Sequence, residues 1–174
     1  MMIAKGSFTW VISAFIAGMI FLILTLFSNS TIARNIFLFL TIVLFLKTSF
    51  LILFFRDPER DIGKGIVACA DGKIREIKKT EDEKVGEVTI ISTFMNLHNV
   101  HVNRMPYDGI IKNVVHKKGS HIPAFNKESE KNERLITFID TEIGKIKVVQ
   151  IAGTIARRIV PYIKKEDKLK RVKG

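Results

Sequence analysis

Apolar residues are unevenly spread along the chain. From Phe8 to Phe27 there is no charge, and a second apolar run over residues 35–55 is interrupted only by Lys47. Each run is long enough to cross a bilayer as a helix, which takes about 20 apolar residues. Ser28-Asn-Ser-Thr31 with Arg34 reads as the turn between them. A signal peptide fits poorly, because no small-residue cleavage site follows the first run and a second run follows at once. Residues 1–55 therefore read as an N-terminal transmembrane α-helical hairpin acting as a membrane anchor. The competing arrangement is one span followed by a buried core helix. Lys47 is a cost that snorkelling or a protein neighbour must relieve.

Beyond the polar hinge Arg56-Asp-Pro-Glu-Arg60 the pattern changes to short strands and turns. Strands are expected over 66–70 and 73–78, joined through Asp71-Gly72, a strong hairpin signal. Further strands are expected over 87–94, 98–104, 110–116, 135–140 and 145–151, with 154–163 extending the sheet. Residues 79–84 read as a charged loop and 117–134 as a long surface loop. Ala152-Gly153 marks a bulge or a close backbone approach. Residues 56–174 thus read as a mainly β soluble domain, a barrel or sandwich of short strands.

Charge divides the chain at the same place. Of 28 basic residues only Lys5, Arg34 and Lys47 precede Arg56, and all 17 acidic residues follow Phe55. Lys5 before the hairpin and Arg56, Arg60 and Lys64 after it outweigh Arg34 in the turn. The positive-inside bias therefore places both ends and the β domain on the cytoplasmic side of the cell membrane. The basic domain suits an anionic leaflet. Nucleic acid is the poorer match, because no stacking aromatics interleave with the basic residues. The single cysteine, Cys69, allows no internal disulfide and reads as a small buried residue.

One polar stretch carries candidate chemistry. In residues 98–104 Val100 and Val102 alternate with Asn99, His101 and Asn103. Three hydrogen-bonding groups on one strand face suit the wall of a polar pocket better than a solvated surface, and His101 is the first candidate. On residues alone, Asp71 reads first as a plain turn aspartate, and the competing readings are structural hydrogen-bonders for His98 and His101 and solvated loop for Asn132-Glu-Arg134. The four histidines fit no familiar zinc spacing, and no metal is expected.

Taken together the motifs are more specific. Ala68-Cys-Ala-Asp71-Gly-Lys-Ile74, then His98-Asn-Val-His101-Val-Asn-Arg104-Met-Pro106, Ala124-Phe-Asn-Lys127, Lys131-Asn-Glu-Arg134 and Gln150-Ile-Ala-Gly-Thr-Ile-Ala-Arg-Arg-Ile159 follow in order. From about Arg56 onward the chain resembles the phosphatidylserine decarboxylase family, in the short form that includes archaetidylserine decarboxylases. The resemblance implies a proenzyme that cuts itself before a serine, which becomes a pyruvoyl cofactor. The pyruvoyl carbonyl then captures the amino group of a serine phospholipid and accepts electrons as carbon dioxide leaves.

By the same resemblance, Asp71 orients a histidine during self-cleavage and His101 is the general base on the serine, with the logic of a Ser-His-Asp arrangement. His98 matches a histidine tied to decarboxylation, although Asn96-Leu97 stand where the long form has Asp-Tyr. In a regular strand His98 and His101 face opposite sides, so they share a site only if His98 lies in the preceding turn. Asn103, Arg104, Arg157 and Arg158 are the nominated substrate contacts, since guanidinium suits a lipid phosphate. The implied partners are the membrane phospholipid substrate and a small pyruvoyl-bearing subunit cut from the same proenzyme; homo-oligomerisation stays open.

The family's cleavage Gly-Ser, expected a short way past Lys173-Gly174, is absent here. Gly119-Ser120 occupies a different place and is not assigned to it. The cofactor-forming serine is therefore expected beyond residue 174, and the 174 residues alone are expected to be inactive. The turn Ala70-Asp-Gly-Lys-Ile74 also resembles lipoyl- or biotinyl-type β modules, which keeps a non-catalytic membrane-anchored adaptor as the alternative.

Overall fold

The computed structural model describes residues 2–61, 63–123 and 131–171. Ala124-Phe-Asn-Lys127 and Lys173-Gly174 lie outside the described residues. The two apolar runs are helices, α1 (Phe8–Phe27) and α2 (Thr31–Phe54). Ser30 starts α2 by accepting the Ala33 N–H on its side chain at 3.5 Å, so the turn shortens to residues 28–30. The helices pack along Gly18, where an added Cβ would come 3.3 Å from the Phe45 ring. Thr25, Thr41 and Thr48 are buried, and each hydroxyl donates to the carbonyl four residues back at 2.8–2.9 Å. Each of these three buried hydroxyls is thus satisfied within its own helix.

Elsewhere the apolar helix surface is bare: α1 buries only Val11, Ala14, Gly18 and Thr25, and α2 only Thr41, Thr48 and Phe54. A core helix of a soluble protein would be mostly covered. Both helices are long and apolar enough to cross a membrane. Their outer ends are tied together, because β1 (Met2–Ile3) pairs antiparallel with β2 (Arg56–Asp57) and the Ala4 N–H donates to the Phe55 carbonyl at 2.8 Å.

The remainder is mainly β. The strands β3 (Lys73–Asp82) and β4 (Gly86–Phe94) form a two-stranded hairpin. A second, four-stranded sheet has the order β7-β6-β5-β8, with β5 (Gly109–Lys117), β6 (Arg134–Thr141), β7 (Gly144–Ile151) and β8 (Lys168–Leu169), all antiparallel. Ile111 and Ile139 are directly paired across β5 and β6 and, with Met105, form the buried centre. Val114, Ile146, Val148, Ile163 and Leu169 pack around it. Each fully buried aliphatic side chain there contributes about 1.5–3 kcal/mol. No strand pairing among the described residues closes this sheet into a barrel.

Four local expectations change. The hairpin turn is at residues 83–85, where the Asp82 carboxylate caps the Lys84 and Val85 N–H groups at 3.0 and 3.2 Å. Residues 66–70 are not a strand, and Asp71-Gly72 leads into β3 instead of joining two strands. Gly72 is needed there for a close approach, since a Cβ would fall 2.4 Å from the Phe94 carbonyl oxygen. Residues 98–104 and 154–163 are irregular. Their backbone groups bond scattered partners and not a neighbouring ladder.

Candidate functional site

The stretch from Met95 to Pro106 is a loop docked on the outer end of α2. Asn99 closes its turn: its N–H donates to the Asn96 carbonyl at 2.9 Å and its side-chain oxygen accepts the Asn96 N–H at 2.7 Å. His98 lies in that turn and is exposed, and its carbonyl accepts the Arg56 guanidinium. Arg56 also holds the Leu53 carbonyl at 2.7 Å, so one side chain joins the end of α2 to the loop. Further along, Arg104 pairs with Asp57 and donates to the Pro58 carbonyl at 2.9 Å. The loop is thus fastened twice to the segment that leaves α2.

His101 lies against the helix end. Its ring stacks on Phe54, with centroids 4.0 Å apart and planes 26° from parallel. Its Nδ1 is 2.9 Å from the Asn99 carbonyl oxygen. A carbonyl only accepts, so Nδ1 carries the proton and Nε2 keeps its lone pair in the neutral ring. Burial lowers the pKa of the ring below its ordinary 6.5, against the Asn99 hydrogen bond, and the Arg56 charge adds to the lowering. The neutral, base-competent form is favoured.

Asp71 approaches the same loop from the other side. Its Oδ2 takes the Arg60 guanidinium at 2.5 Å and the Val100 N–H at 3.4 Å. It thus reaches the residue next to His101, but no hydrogen bond joins the carboxylate to the imidazole. The ring's tautomer is set by the Asn99 carbonyl, which replaces the carboxylate expected in that part. Residues 67–71 run alongside 104–106, with the Arg104 N–H on the Cys69 carbonyl and the Val67 N–H on the Pro106 carbonyl, both at 2.9 Å.

Between these segments lies an open cleft of about 170 Å³, lined by Arg60, Cys69, Asp71, Val102, Arg104 and Arg171 among others. Burial pushes the Cys69 thiol up, which favours its protonated form in the cleft wall. Arg171 stacks over Tyr107 at 4.9 Å and binds Asp108 through its N–H and its guanidinium, at 2.5 and 3.2 Å. The Arg171 backbone N–H, then its side chain, hold the Asp108 carboxyl below the usual carboxylate range. Arg171 therefore brings the C-terminal run to the cleft that holds Asp71.

The other nominated residues fall elsewhere. The Asn103 side chain forms no hydrogen bond among the described residues, and Arg157 and Arg158 are exposed and outside the cleft. Asn132 is a structural clamp, 1% exposed. It takes the Ile122 N–H at 2.8 Å and donates to the carbonyls of Ile122 and Ala152 at 2.6 and 2.8 Å. Glu133 accepts the Ile159 N–H at 3.1 Å and faces His116 at 3.0 Å; burial works against its charge, but these two donors prevail and its pKa falls. Gly119-Ser120 is knitted into this clamp, with the Ser120 N–H on the Lys131 carbonyl and the Glu133 N–H on the Ser120 carbonyl. A Cβ at Gly119 would meet the Lys131 carbonyl oxygen at 2.3 Å. No cluster of His, Cys, Asp or Glu arranged to hold a metal is found among the described residues.

Sequence reasoning passed over Phe54, Arg56, Arg60 and Arg171. The hinge composition Arg56-Asp-Pro-Glu-Arg60, two arginines flanking two acids beside an apolar run, was the available signal for two of them.

A family model described as phosphatidylserine decarboxylase matches residues 48–173, a stretch that contains the whole site. The chain belongs to the phosphatidylserine decarboxylase family. Among relatives of that family, a protein of Methanococcoides burtonii named archaetidylserine decarboxylase proenzyme is 40% identical over 171 residues, covering 97% of this chain and 76% of the relative. One of the same name in Methanosarcina acetivorans is 42% identical over 169 residues, 95% of this chain and 76% of the relative. The phosphatidylserine decarboxylase proenzyme of Streptomyces avermitilis is 48% identical over 117 residues, 67% of this chain and 53% of the relative. The match thus spans about half of the Streptomyces decarboxylase and three quarters of the archaeal ones. Membership in a decarboxylase family also disposes of the adaptor alternative, whose supposed hairpin turn at Asp71-Gly72 is not one.

Proposed function

We propose that this chain forms the larger part of a pyruvoyl-dependent decarboxylase that converts a serine phospholipid, with ester or ether tails, into the ethanolamine lipid at the cytoplasmic face of the cell membrane. The observation that carries the reading is the docking of the histidine loop on the end of α2. It puts His101 in contact with Phe54, the last residue of an apolar helix, at the depth where a phospholipid head group would lie.

The anchor supports this placement. Residues 1–55 are read as a hairpin crossing the bilayer and residues 56–174 as the catalytic part on the side favoured by the basic flanks. Lys47 is on the exposed surface of α2, seven residues before its end. That is about 10 Å along the axis, close enough for its side chain to snorkel to the head groups.

The chain's own residues suit the making of the cofactor. His101 Nε2 is the base for the hydroxyl proton of a serine supplied outside residues 1–174. Asp71, held by Arg60, fixes the Val100 backbone beside it and supplies negative charge near an imidazolium that forms. The fit of a pyruvoyl group is supported by the donor set: Asp71, paired with Arg60, shares its cleft with Arg171 and takes the N–H of Val100, the neighbour of the neutral His101 ring. When bound, the pyruvoyl group supplies an electrophilic carbonyl that accepts the electrons left by departing carbon dioxide. In this reading His98, exposed in the turn before His101, holds or returns a proton at the substrate carbon. On the same reading Arg104, held by Asp57, forms part of the wall of the cleft that the head group enters.

The test is expression of a chain carrying the full length of the archaeal relatives, followed by mass spectrometry. The reading expects two fragments, the smaller with a blocked, pyruvoyl-mass N-terminus, and ethanolamine lipid formed from serine lipid. An uncut chain with no ethanolamine lipid would refute it.

A further inference from the structure

Residues 155–162 form an exposed strip that the proposed chemistry does not use. Ile155 is 55% exposed, Val160 63% and Tyr162 53%. Arg157 and Arg158 sit among them, exposed and without an ion pair among the described residues. Large apolar side chains grouped bare on one segment, with basic residues among them, mark a surface that something else covers.

The strip is held in place. The Gly153 N–H donates to the Ala156 carbonyl at 3.0 Å, and the Ile159 N–H to Glu133 Oε1 at 3.1 Å. The Tyr162 hydroxyl donates to the Lys5 carbonyl. Lys5 stands just before α1, and the adjoining β1 is paired with β2 at the exit of α2. Burial, then the nearby Asp57 charge, raise the Tyr162 pKa, in keeping with a phenol seated against β2. Tyr162 therefore ties one end of the strip to the outer ends of both apolar helices.

We propose that residues 155–162 are a leaflet-docking strip, with Ile155, Val160 and Tyr162 seated among the head groups and Arg157 and Arg158 bound to the phosphates of anionic lipids. This rests on the reading of α1 and α2 as membrane-spanning. Tyrosine favours the head-group layer because one end is apolar and the other wet. Guanidinium forks pair with phosphate oxygens. The occupant is the bulk leaflet and not the substrate in its site, because neither arginine lines the cleft of Asp71. The strip would hold the domain down on the bilayer and keep the His101 loop facing it.

The test is hydrogen exchange on the full chain in nanodiscs of phosphatidylcholine alone and of phosphatidylcholine mixed with phosphatidylglycerol. In anionic discs, peptides covering 154–163 should exchange more slowly than in neutral ones. The double change Arg157→Gln, Arg158→Gln should weaken that docking about thirtyfold, the effect of two cations at an anionic surface. Lys78→Gln with Lys79→Gln, on β3, should leave the protection unchanged. Equal exchange in the two lipid mixtures, or protection that survives the double arginine change, would overturn the strip while α1 and α2 stay protected. Freely exchanging α1 and α2 amides would overturn the spanning reading and the strip together.

Discussion

Asn132 gives the sharpest test of which motif residues are structural. The Asn132→Ala change removes three hydrogen bonds of 2.6–2.8 Å from a side chain that is 1% exposed. It leaves the Ile122 N–H and the carbonyls of Ile122 and Ala152 without their partner. At about 1–3 kcal/mol per stranded buried group, partly relieved at the half-buried Ile122, the loss comes to about 3–5 kcal/mol. That is a large share of the ~5–15 kcal/mol that holds a domain together. The melting temperature should fall by about 10 °C or more. The assay is thermal unfolding in detergent, followed by near-ultraviolet circular dichroism. Asn132→Asp should melt at least as early, because it keeps the acceptor but sets a carboxylate against two carbonyl oxygens. A variant that melts within a degree or two of the parent, yet loses activity, would show that Asn132 contacts substrate and that the clamp argument is wrong.

Other expectations follow from the same contacts. Because burial lowers the His101 pKa, the ring stays neutral below pH 6.5; self-cleavage should persist there and fail only as pH drops through the lowered value. Phe54→Ala, which wets the ring, should move that acid limb upward, as read from cleavage rate against pH. Gly119→Ala should cost several kcal/mol or prevent folding, measured as loss of soluble membrane-extracted protein, since its Cβ would meet the backbone of Lys131 at 2.3 Å. Arg104→Ala should leave Asp57 half-buried and unpaired, lowering stability by ~1–3 kcal/mol in the same melting assay.

Much of the fold could be read from pattern alone. The absence of charge marked α1 to the residue, and β5, β6 and β7 lay within a residue or two of their expected places, because one face of each packs on the Ile111–Ile139 core. Strands 73–78 and 87–94 were legible too, but the turn joining β3 and β4 was misplaced for a physical reason: the hairpin is exposed along most of its length, so residues 79–82, with the composition of a charged loop, hide the end of β3. Residues 98–104 alternate as a strand would, yet their N–H groups answer to Cys69 and Asp71 instead of a ladder. At the site, His101 and Asp71 were legible as residue types. That Asn99 fixes the imidazole, and that the α2 exit supplies Phe54, Arg56 and Arg60, depended on long-range packing that no local pattern encodes.

The most direct test of the central claim is self-cleavage of a proenzyme of the archaeal relatives' length, followed by gel shift and intact mass. His101→Gln should leave the chain whole, and Asp71→Asn should slow cleavage strongly while the fold survives. Normal cleavage of the His101→Gln chain would contradict the account, because a loop docked on α2 would then be presenting a histidine with no part in making the cofactor.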